Sequence, residues 1–165
     1  LESLFVTPVG SGEILTAKAA TNFLLGMVSL AISMVFAAFV FDIPIRGSLL
    51  LLLAVSALFL IVALGLGLVI STATKNQFLA CQFAIMGTFM PALMLSGFLY
   101  DILNMPPAVR AVTYLIPARY YVTLLQTLFL AGDIPSVIIP CCITLGVFAV
   151  VLMSIARLKA PKSLE

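Results

Sequence analysis

Residues 47–74 read GSLLLLLAVSALFLIVALGLGLVISTAT, 28 residues without a charged side chain or a histidine. About 20 apolar residues in a helix cross the roughly 30 Å hydrocarbon core of a bilayer, because each residue adds about 1.5 Å. Only helices and closed barrels satisfy every backbone polar group in lipid, and a continuous apolar run of this length is typical of a helix. Three further uncharged runs, at 19–41, 76–100 and 134–156, have 23, 25 and 23 residues. Four transmembrane helices are therefore predicted.

The rest of the chain can be divided around these runs. We predict an all-α membrane protein with four transmembrane helices and an outer re-entrant or interfacial helical hairpin between the third and the fourth. We treat residues 1–165 as one transmembrane domain and, because the chain begins with Leu and shows no signal-peptide pattern, as a fragment. The predicted segments are a cytoplasmic lead-in at 1–18, spans at about 19–41, 48–71, 77–99 and 135–156, an extracytoplasmic segment at 100–134 and a cytoplasmic tail at 157–165.

Composition narrows the possible functions. The chain is 64% hydrophobic and 8% charged, its mean hydropathy is +1.31, and its net charge of +2 is too small to indicate nucleic-acid binding. It has no His, and its three cysteines, Cys81, Cys141 and Cys142, all fall inside predicted spans. No metal or catalytic cluster is therefore expected. A small proton-coupled multidrug carrier needs an ionisable group at membrane depth, and the predicted spans contain none.

The basic residues predict the orientation. With four spans both termini lie on one side of the membrane, and five basic residues fall on that side against three on the other. Because cytoplasmic loops carry an excess of Lys and Arg, we expect both termini in the cytoplasm. The cytoplasmic set is Lys18, Lys75, Arg157, Lys159 and Lys162, and the outer set is Arg46, Arg110 and Arg119.

The segment at 100–134 is unlike an ordinary loop. Prolines divide it into two short predicted helices and a glycine ends the second, because Pro is favoured in the first turn of a helix and Gly after its end. All the tyrosines of the chain also lie in or beside it, and Tyr is typical of the membrane–water boundary. The residues concerned are Pro106, Pro107, Pro117 and Gly132, the helices at 107–115 and 118–131, and Tyr100, Tyr114, Tyr120 and Tyr121. We expect a hairpin that dips into the outer leaflet; a structureless outer loop is the alternative.

Arg119 lies at the start of the second of these helices, beside Tyr120 and Tyr121. A guanidinium in this position can extend to the interface or stack on an aromatic ring. Two roles stay open. Arg119 either helps to hold an outer gate or anchors the helix to lipid phosphates.

The third run carries two stripes of side chains. A ridge of small residues recurs every four positions and predicts a face for close helix packing, because small residues let backbones approach in lipid. The ridge is Ala80, Ala84, Thr88, Ala92 and Ser96. A second stripe, Gln82, Met86, Met90 and Met94, lies on roughly the opposite face. Flexible methionines suit a translocation path for varied apolar shapes, but they also suit a lipid-facing surface or a bundle core.

Two stretches carry a resemblance to a known family. Residues 96–133 read SGFLYDILNMPPAVRAVTYLIPARYYVTLLQTLFLAGD, and residues 1–18 read LESLFVTPVGSGEILTAK. The first resembles the hallmark of ABC type-2 exporter permeases, with a Gly-Phe pair ending a span, an Asn-Met-Pro turn, Ile-Pro-Ala-Arg-Tyr and a closing Phe-Leu-x-Gly. The second is similar to the cytoplasmic coupling segment of the same family.

The resemblance implies a six-span permease subunit that pairs with a second copy and with two cytosolic ATPase subunits. The four spans of this chain would be the third to the sixth, and the outer re-entrant helices would cap the exit. The coupling segment would rest on the ATPase through Glu2, Thr7, Pro8, Glu13 and Lys18. The chain has no G-x-x-x-x-G-K-[ST] loop, so ATP and Mg are expected on the partner rather than on this chain, which is expected to bind no cofactor.

The leading functional hypothesis is therefore the permease subunit of an ATP-driven exporter in the bacterial inner membrane. An apolar path without fixed charge suits a lipophilic or amphipathic substrate such as a drug, a lipid or a glycolipid. A non-transporting scaffold subunit is the alternative, and a small secondary multidrug transporter is a weaker one. A coupling segment at 1–18 favours the permease, because a scaffold has no need to contact an ATPase.

Overall fold

The computed structural model describes residues 11–40, 46–74 and 76–159. Within these ranges the chain is helical and contains no strand. Its α-helices are α1 (Ser11–Val40), α2 (Leu49–Ala73), α3 (Gln77–Ala84), α4 (Met90–Leu95), α5 (Pro107–Thr113), α6 (Pro117–Gln126) and α7 (Pro135–Lys159). A π-helical turn, Ile85–Phe89, joins α3 to α4, a second, Thr127–Ala131, extends α6, and a 3₁₀ turn, Ile102–Asn104, precedes α5.

Four helical segments are long and apolar enough to cross a membrane, as the uncharged runs predicted. They are Thr16–Ala37, Leu49–Ala73, Phe78–Leu95 and Pro135–Leu158. The third ends at Leu95, short of the predicted 99, because Gly97 adopts a φ of 88° that a right-handed helix cannot contain. The all-α membrane fold with four spanning helices is confirmed.

Local sequence signals account for several helix ends. Asn76 caps α3, and its side chain accepts a hydrogen bond from the Phe78 N–H at 3.1 Å. Pro107 and Pro117 occupy the first turns of α5 and α6, where a missing N–H is harmless. Gly132, with a φ of 90°, ends the π-helical turn that follows α6.

The core lies where α2, α6 and α7 meet. α2 packs along α7, and α6 contacts both. The buried apolar cluster comprises Leu52, Val55 and Val62 of α2, Leu124 of α6, Leu128 of the following π-helical turn, and Ile138, Leu145 and Ala149 of α7. The short helix α6 is thus as central to the packing as the two spans that flank it.

The other two spans are peripheral. The spanning windows of α1 and of α3–α4 contain no buried residue among those described. α1 contacts α2, with Gly26 directly against the Leu60 side chain. Large side chains on the open faces include Phe39, 83% exposed, and Phe78, 75% exposed. In a membrane such faces contact lipid or other protein segments, because lipid is as apolar as a protein core.

A set of polar contacts joins the start of α2 to the end of the α6 segment; we refer to it as the outer corner. The Gly47 N–H donates to the Leu128 carbonyl at 2.9 Å, and the Ser48 N–H donates to Asp133 Oδ1 at 3.0 Å. Arg46 also donates to the Leu130 carbonyl at 3.5 Å. Asp133 therefore places a negative charge at the N-terminus of α2, where the helix dipole favours it. The α1–α2 connection and the end of the α6 segment consequently lie at the same end of the bundle.

Gly47→Ala tests the outer corner. A Cβ at Gly47 would lie 2.9 Å from both Leu128 O and Leu128 Cδ2 and 3.0 Å from Asp133 Oδ1, so the contact has to open. We expect a loss of about 1–3 kcal/mol, the usual effect of forcing extra atoms into a packed site. The thermal unfolding midpoint of the protein in detergent measures it. Gly146→Ala is the matched control, because its Cβ would meet nothing within 4 Å; equal midpoint losses in both variants would contradict this packing.

Candidate functional site

α6 runs antiparallel to α2, and two contacts fix the register. Leu128 lies beside Gly47 through the bond of the outer corner, and Tyr121 Oη lies 3.0 Å from Ser56 Oγ. Seven residues from Leu128 back to Tyr121 amount to about 10 Å of helix. The beginning of α6 therefore lies beside the middle part of α2. The re-entrant placement in a bilayer stays a prediction.

The two adjacent tyrosines of α6 contact different neighbours. The Tyr121 ring stacks on Phe59 of α2 with a centroid distance of 4.2 Å and an interplanar angle of 1°. The Tyr120 hydroxyl donates to the Tyr114 carbonyl at 3.0 Å, and its ring lies 6.3 Å from that of Phe148 on α7. Tyr120 and Tyr121 were predicted as interfacial gate residues. The structure places both partly buried between helices.

Arg119 folds back onto the turn that precedes α6. Its Cζ lies 3.9 Å above the centre of the Tyr114 ring, and its Nη1 donates to the Thr113 hydroxyl. Thr113 is fully buried, and its hydroxyl donates to the Arg110 carbonyl at 2.8 Å. The contact between a cation and an aromatic face contributes about 0.5–2 kcal/mol. Arg119 thus ties α6 to α5 in the stacked geometry, while its role in a gate stays a prediction.

The other predicted gate residues mark the ends of the hairpin. Pro106 precedes α5, and its carbonyl accepts the Arg110 N–H at 2.9 Å. Pro107 and Pro117 begin the two helices, and Gly132 packs at the outer corner beside the Arg46 backbone. The seven predicted residues therefore mark the starts of α5 and α6, the first turns of α6 and the end of the π-helical turn that follows it. The pairing of α5 and α6 as an outer re-entrant hairpin stays a prediction.

An apolar cavity of about 570 Å³ opens between α2, the third span and the α5–α6 turn. α2 contributes Phe59, Ala63 and Gly67, and the turn contributes Leu115 and Ile116. Thr88 of the third span is the one lining residue with a polar side chain, and its hydroxyl donates to the Ala84 carbonyl. The cavity therefore offers apolar contact and no charge.

The two stripes of the third span face opposite ways. Ala84, Thr88 and Ala92 line the cavity, while Ala80 is partly buried and Ser96 is buried. Gln82, Met86, Met90 and Met94 are all exposed. The structure does not bring the methionine stripe to this cavity. The roles predicted for the ridge and for the stripe stay predictions.

Sequence reasoning missed the cavity wall on α2. A signal was present, since Ala63 and Gly67 form a small-residue pair four positions apart, the spacing that marks a close helix approach in membranes. Here the pair faces the cavity rather than a closely packed helix, because a Cβ built on Gly67 meets nothing within 4 Å.

The predicted ATPase-coupling residues lie at the start of the chain. Glu2, Thr7 and Pro8 lie outside the described residues. Glu13 lies in the first turn of α1, and the exposed Lys18 follows it in the same helix. No group of three or more potential metal ligands occurs in the described parts of the chain.

Comparison with known sequences places the chain in a family. The sequence model of the family described as "ABC-2 type transporter" matches residues 1–130. The chain belongs to the ABC-2 type transporter family. No solved structure gives a significant match. The predicted family is thus confirmed, and the chain is a multi-pass protein of the bacterial inner membrane within a family of ABC transporter permeases.

Named relatives of this ABC-2 chain come from Escherichia coli. "Probable multidrug ABC transporter permease YbhS", in strains K12 and O157:H7, is 44% identical over 165 residues, which is 100% of this chain and 44% of the relative. "Probable multidrug ABC transporter permease YbhR" of strain K12 is 28% identical over 133 residues, which is 79% of this chain and 35% of the relative. The chain therefore spans less than half the length of these relatives.

A matched pair of glycines tests whether the cavity is open in the complete subunit. We expect Gly67→Leu to be neutral or stabilising by up to about 1 kcal/mol, because its side chain enters the cavity and Leu favours a helix over Gly. Gly65→Leu should cost about 2 kcal/mol or more, since a Cβ there lies 3.0 Å from Leu152 Cβ. Unfolding midpoints of the two variants make the comparison. Equal destabilisation would mean that other protein fills the cavity.

Proposed function

We propose that this chain is part of the permease subunit of an ATP-driven exporter, and that its cavity receives a lipophilic or amphipathic substrate. The cavity itself carries the proposal. Its volume of about 570 Å³ falls within the range typical of small-molecule sites, and its lining suits the apolar part of a drug or lipid. The names of the E. coli relatives, which mention multidrug ABC transport, support the same reading.

We propose the α5–α6 hairpin as the outer gate of this path. Its turn, at Leu115 and Ile116, forms one wall of the cavity, so a displacement of the turn would change the cavity directly. The outer corner holds the far end of α6 to α2, while the residues of α5 before Thr113 are exposed. α5 can therefore move while α6 stays packed against α2 and α7. Export, rather than import, is the direction in which such an outer gate would release substrate.

The π-helical turns are suitable hinges for this movement. Such turns are frequent at functional sites, because they interrupt the regular hydrogen-bond ladder of a helix. The turn Ile85–Phe89 brings Gly87 and Thr88 to the cavity, and the turn Thr127–Ala131 lies where α6 meets the outer corner. The turn Thr127–Ala131 thus lies at the end of the proposed gate, and the turn Ile85–Phe89 lies in the span on the other side of the cavity.

The proposed partners are a cytosolic ATPase and a second permease copy. The lead-in at 1–18 would contact the ATPase, which would hold ATP and Mg and supply the energy for transport. The exposed stripe of Gln82, Met86, Met90 and Met94 would face the second copy, where adaptable methionines could line a path between subunits.

Charge reversal in the lead-in tests the coupling. In the complete subunit, Glu2→Lys or Glu13→Lys should weaken ATPase docking by about 0.5–1 kcal/mol, which is roughly a two- to fivefold loss of affinity. Transport-stimulated ATP hydrolysis should fall with it, while membrane insertion stays normal. Arg110→Glu, a charge reversal in the outer hairpin, is the control and should leave docking unchanged. Wild-type docking and stimulation in both lead-in variants would favour a scaffold over a coupled permease.

A further inference from the structure

Arg119 lies deep in the bundle relative to the outer corner. Leu128 is level with Gly47 at the start of α2. Arg119 precedes Leu128 by nine residues, which is about 13 Å of helix. Half of a hydrocarbon core is roughly 15 Å. The neighbouring Tyr121 contacts Ser56 and Phe59, which belong to the interior of the α2 span. With the outer corner at the outer boundary of the hydrocarbon core, Arg119 would therefore lie close to the depth of the bilayer centre.

The side chain does not extend towards the outer surface. Side chains of a helix tilt towards its N-terminus, and for α6 this direction leads away from the outer corner. The guanidinium contacts Thr113 and Tyr114, both of which precede α6. An anchor to outer lipid phosphates would extend the other way, towards Gly132. The geometry thus holds the charge at the hairpin turn.

The charge has no carboxylate partner among the described residues. Thr113 occupies one guanidinium nitrogen and the Tyr114 ring covers one face, so most of the five N–H donors are left for another group. Asp101 and Asp133 make their bonds elsewhere, to the Leu103 N–H and the Ser48 N–H. A charged side chain at membrane depth is costly to insert, and such residues mark substrate or ion paths.

We propose that Arg119 binds the anionic group, a phosphate or a carboxylate, of an amphipathic molecule whose apolar part lies in the cavity. Pro117 and Ala118, in the same first turn of α6, line that cavity, and Arg119 follows them directly in the chain, with its guanidinium held on Thr113 and Tyr114 outside the lining. A planar guanidinium matches a phosphate or carboxylate through paired hydrogen bonds, and the N-terminus of α6 adds a favourable dipole. The inference rests on the proposed permease function and narrows its substrate class to anionic amphiphiles.

The test measures lipid binding to the complete permease, purified in a neutral detergent without ATP. The probes are fluorescent phosphatidylglycerol and phosphatidylcholine with identical acyl chains. Arg119→Gln should weaken phosphatidylglycerol binding at least about tenfold, the loss expected for one charge-assisted contact, and leave phosphatidylcholine within about twofold. Arg119→Lys should fall between the wild type and Arg119→Gln, because it keeps the charge and loses the planar fork. Arg110→Gln, the same change elsewhere in the hairpin, should bind like the wild type.

Each outcome of this experiment either supports or overturns the proposal. Wild-type phosphatidylglycerol binding by Arg119→Gln would overturn the proposal. Equal losses of binding in Arg119→Gln and Arg110→Gln would also overturn it, because they would indicate attraction of the lipid by general surface charge. Inorganic phosphate at 10 mM, about ten-thousandfold above a dissociation constant of about 1 μM, separates a free-phosphate site from an amphiphile site. Displacement of the lipid by phosphate alone would overturn the proposed amphiphile binding and indicate a free-phosphate site. Lipid binding that is retained in the presence of phosphate would support the proposal. A monodisperse elution profile and an unchanged unfolding midpoint establish that Arg119→Gln is folded. This experiment measures no transport, so a negative result does not contradict the proposed permease function. The ATPase-docking experiment tests that function separately.

Discussion

The packing of α6 between α2 and α7 is the constraint on which the rest of the structure depends. Leu124 and Leu128 are fully buried against the two spans, and the outer corner fixes their register through the bonds of Gly47 and Ser48. Because α6 is short and antiparallel to α2, its beginning, and with it the α5–α6 turn, has to lie beside the middle of that span. The cavity and the position of Arg119 both follow from this register.

The same arrangement links stability to the proposed transport. The core holds one end of the hairpin, whereas its turn borders an open apolar cavity and is fastened by contacts within the hairpin, chiefly Arg119 on Tyr114. Contacts of this kind are individually worth only about 0.5–2 kcal/mol, so ligand binding or a signal from a partner could rearrange them. An anionic amphiphile would bind where the charge, the cavity and the movable turn meet.

The sequence predicts where the helices lie along the chain far better than it predicts which helices pack against one another. The uncharged runs specify the spans because lipid excludes charge. The prolines specify the starts of α5 and α6 because they fix φ, and Gly132 specifies the end of the α6 segment because glycine tolerates a positive φ. The central position of α6 was not predictable, since a buried face and a lipid-facing face are equally apolar. For the same reason the methionine stripe, a candidate path in the sequence, is exposed, while the small-residue pair Ala63 and Gly67, which by its spacing favours close helix packing, lines the cavity instead. Arg119 was expected near the outer interface because its sequence neighbours are tyrosines, and the deeper position proposed for it rests on the α2–α6 register.

The depth of Leu115 in a bilayer tests the central claim most directly. A single spin label would be attached at Leu115→Cys, in the complete permease without its other cysteines, and its accessibility to oxygen and to a water-soluble nickel chelate would be measured in lipid nanodiscs. Pro106→Cys, at the outer end of α5, is the reference. The account predicts that Leu115 lies about 10 Å deeper than Pro106, the length of α5, with high oxygen and low nickel accessibility. Equal depths, with Leu115 accessible to the chelate, would contradict a hairpin that enters the membrane beside α2.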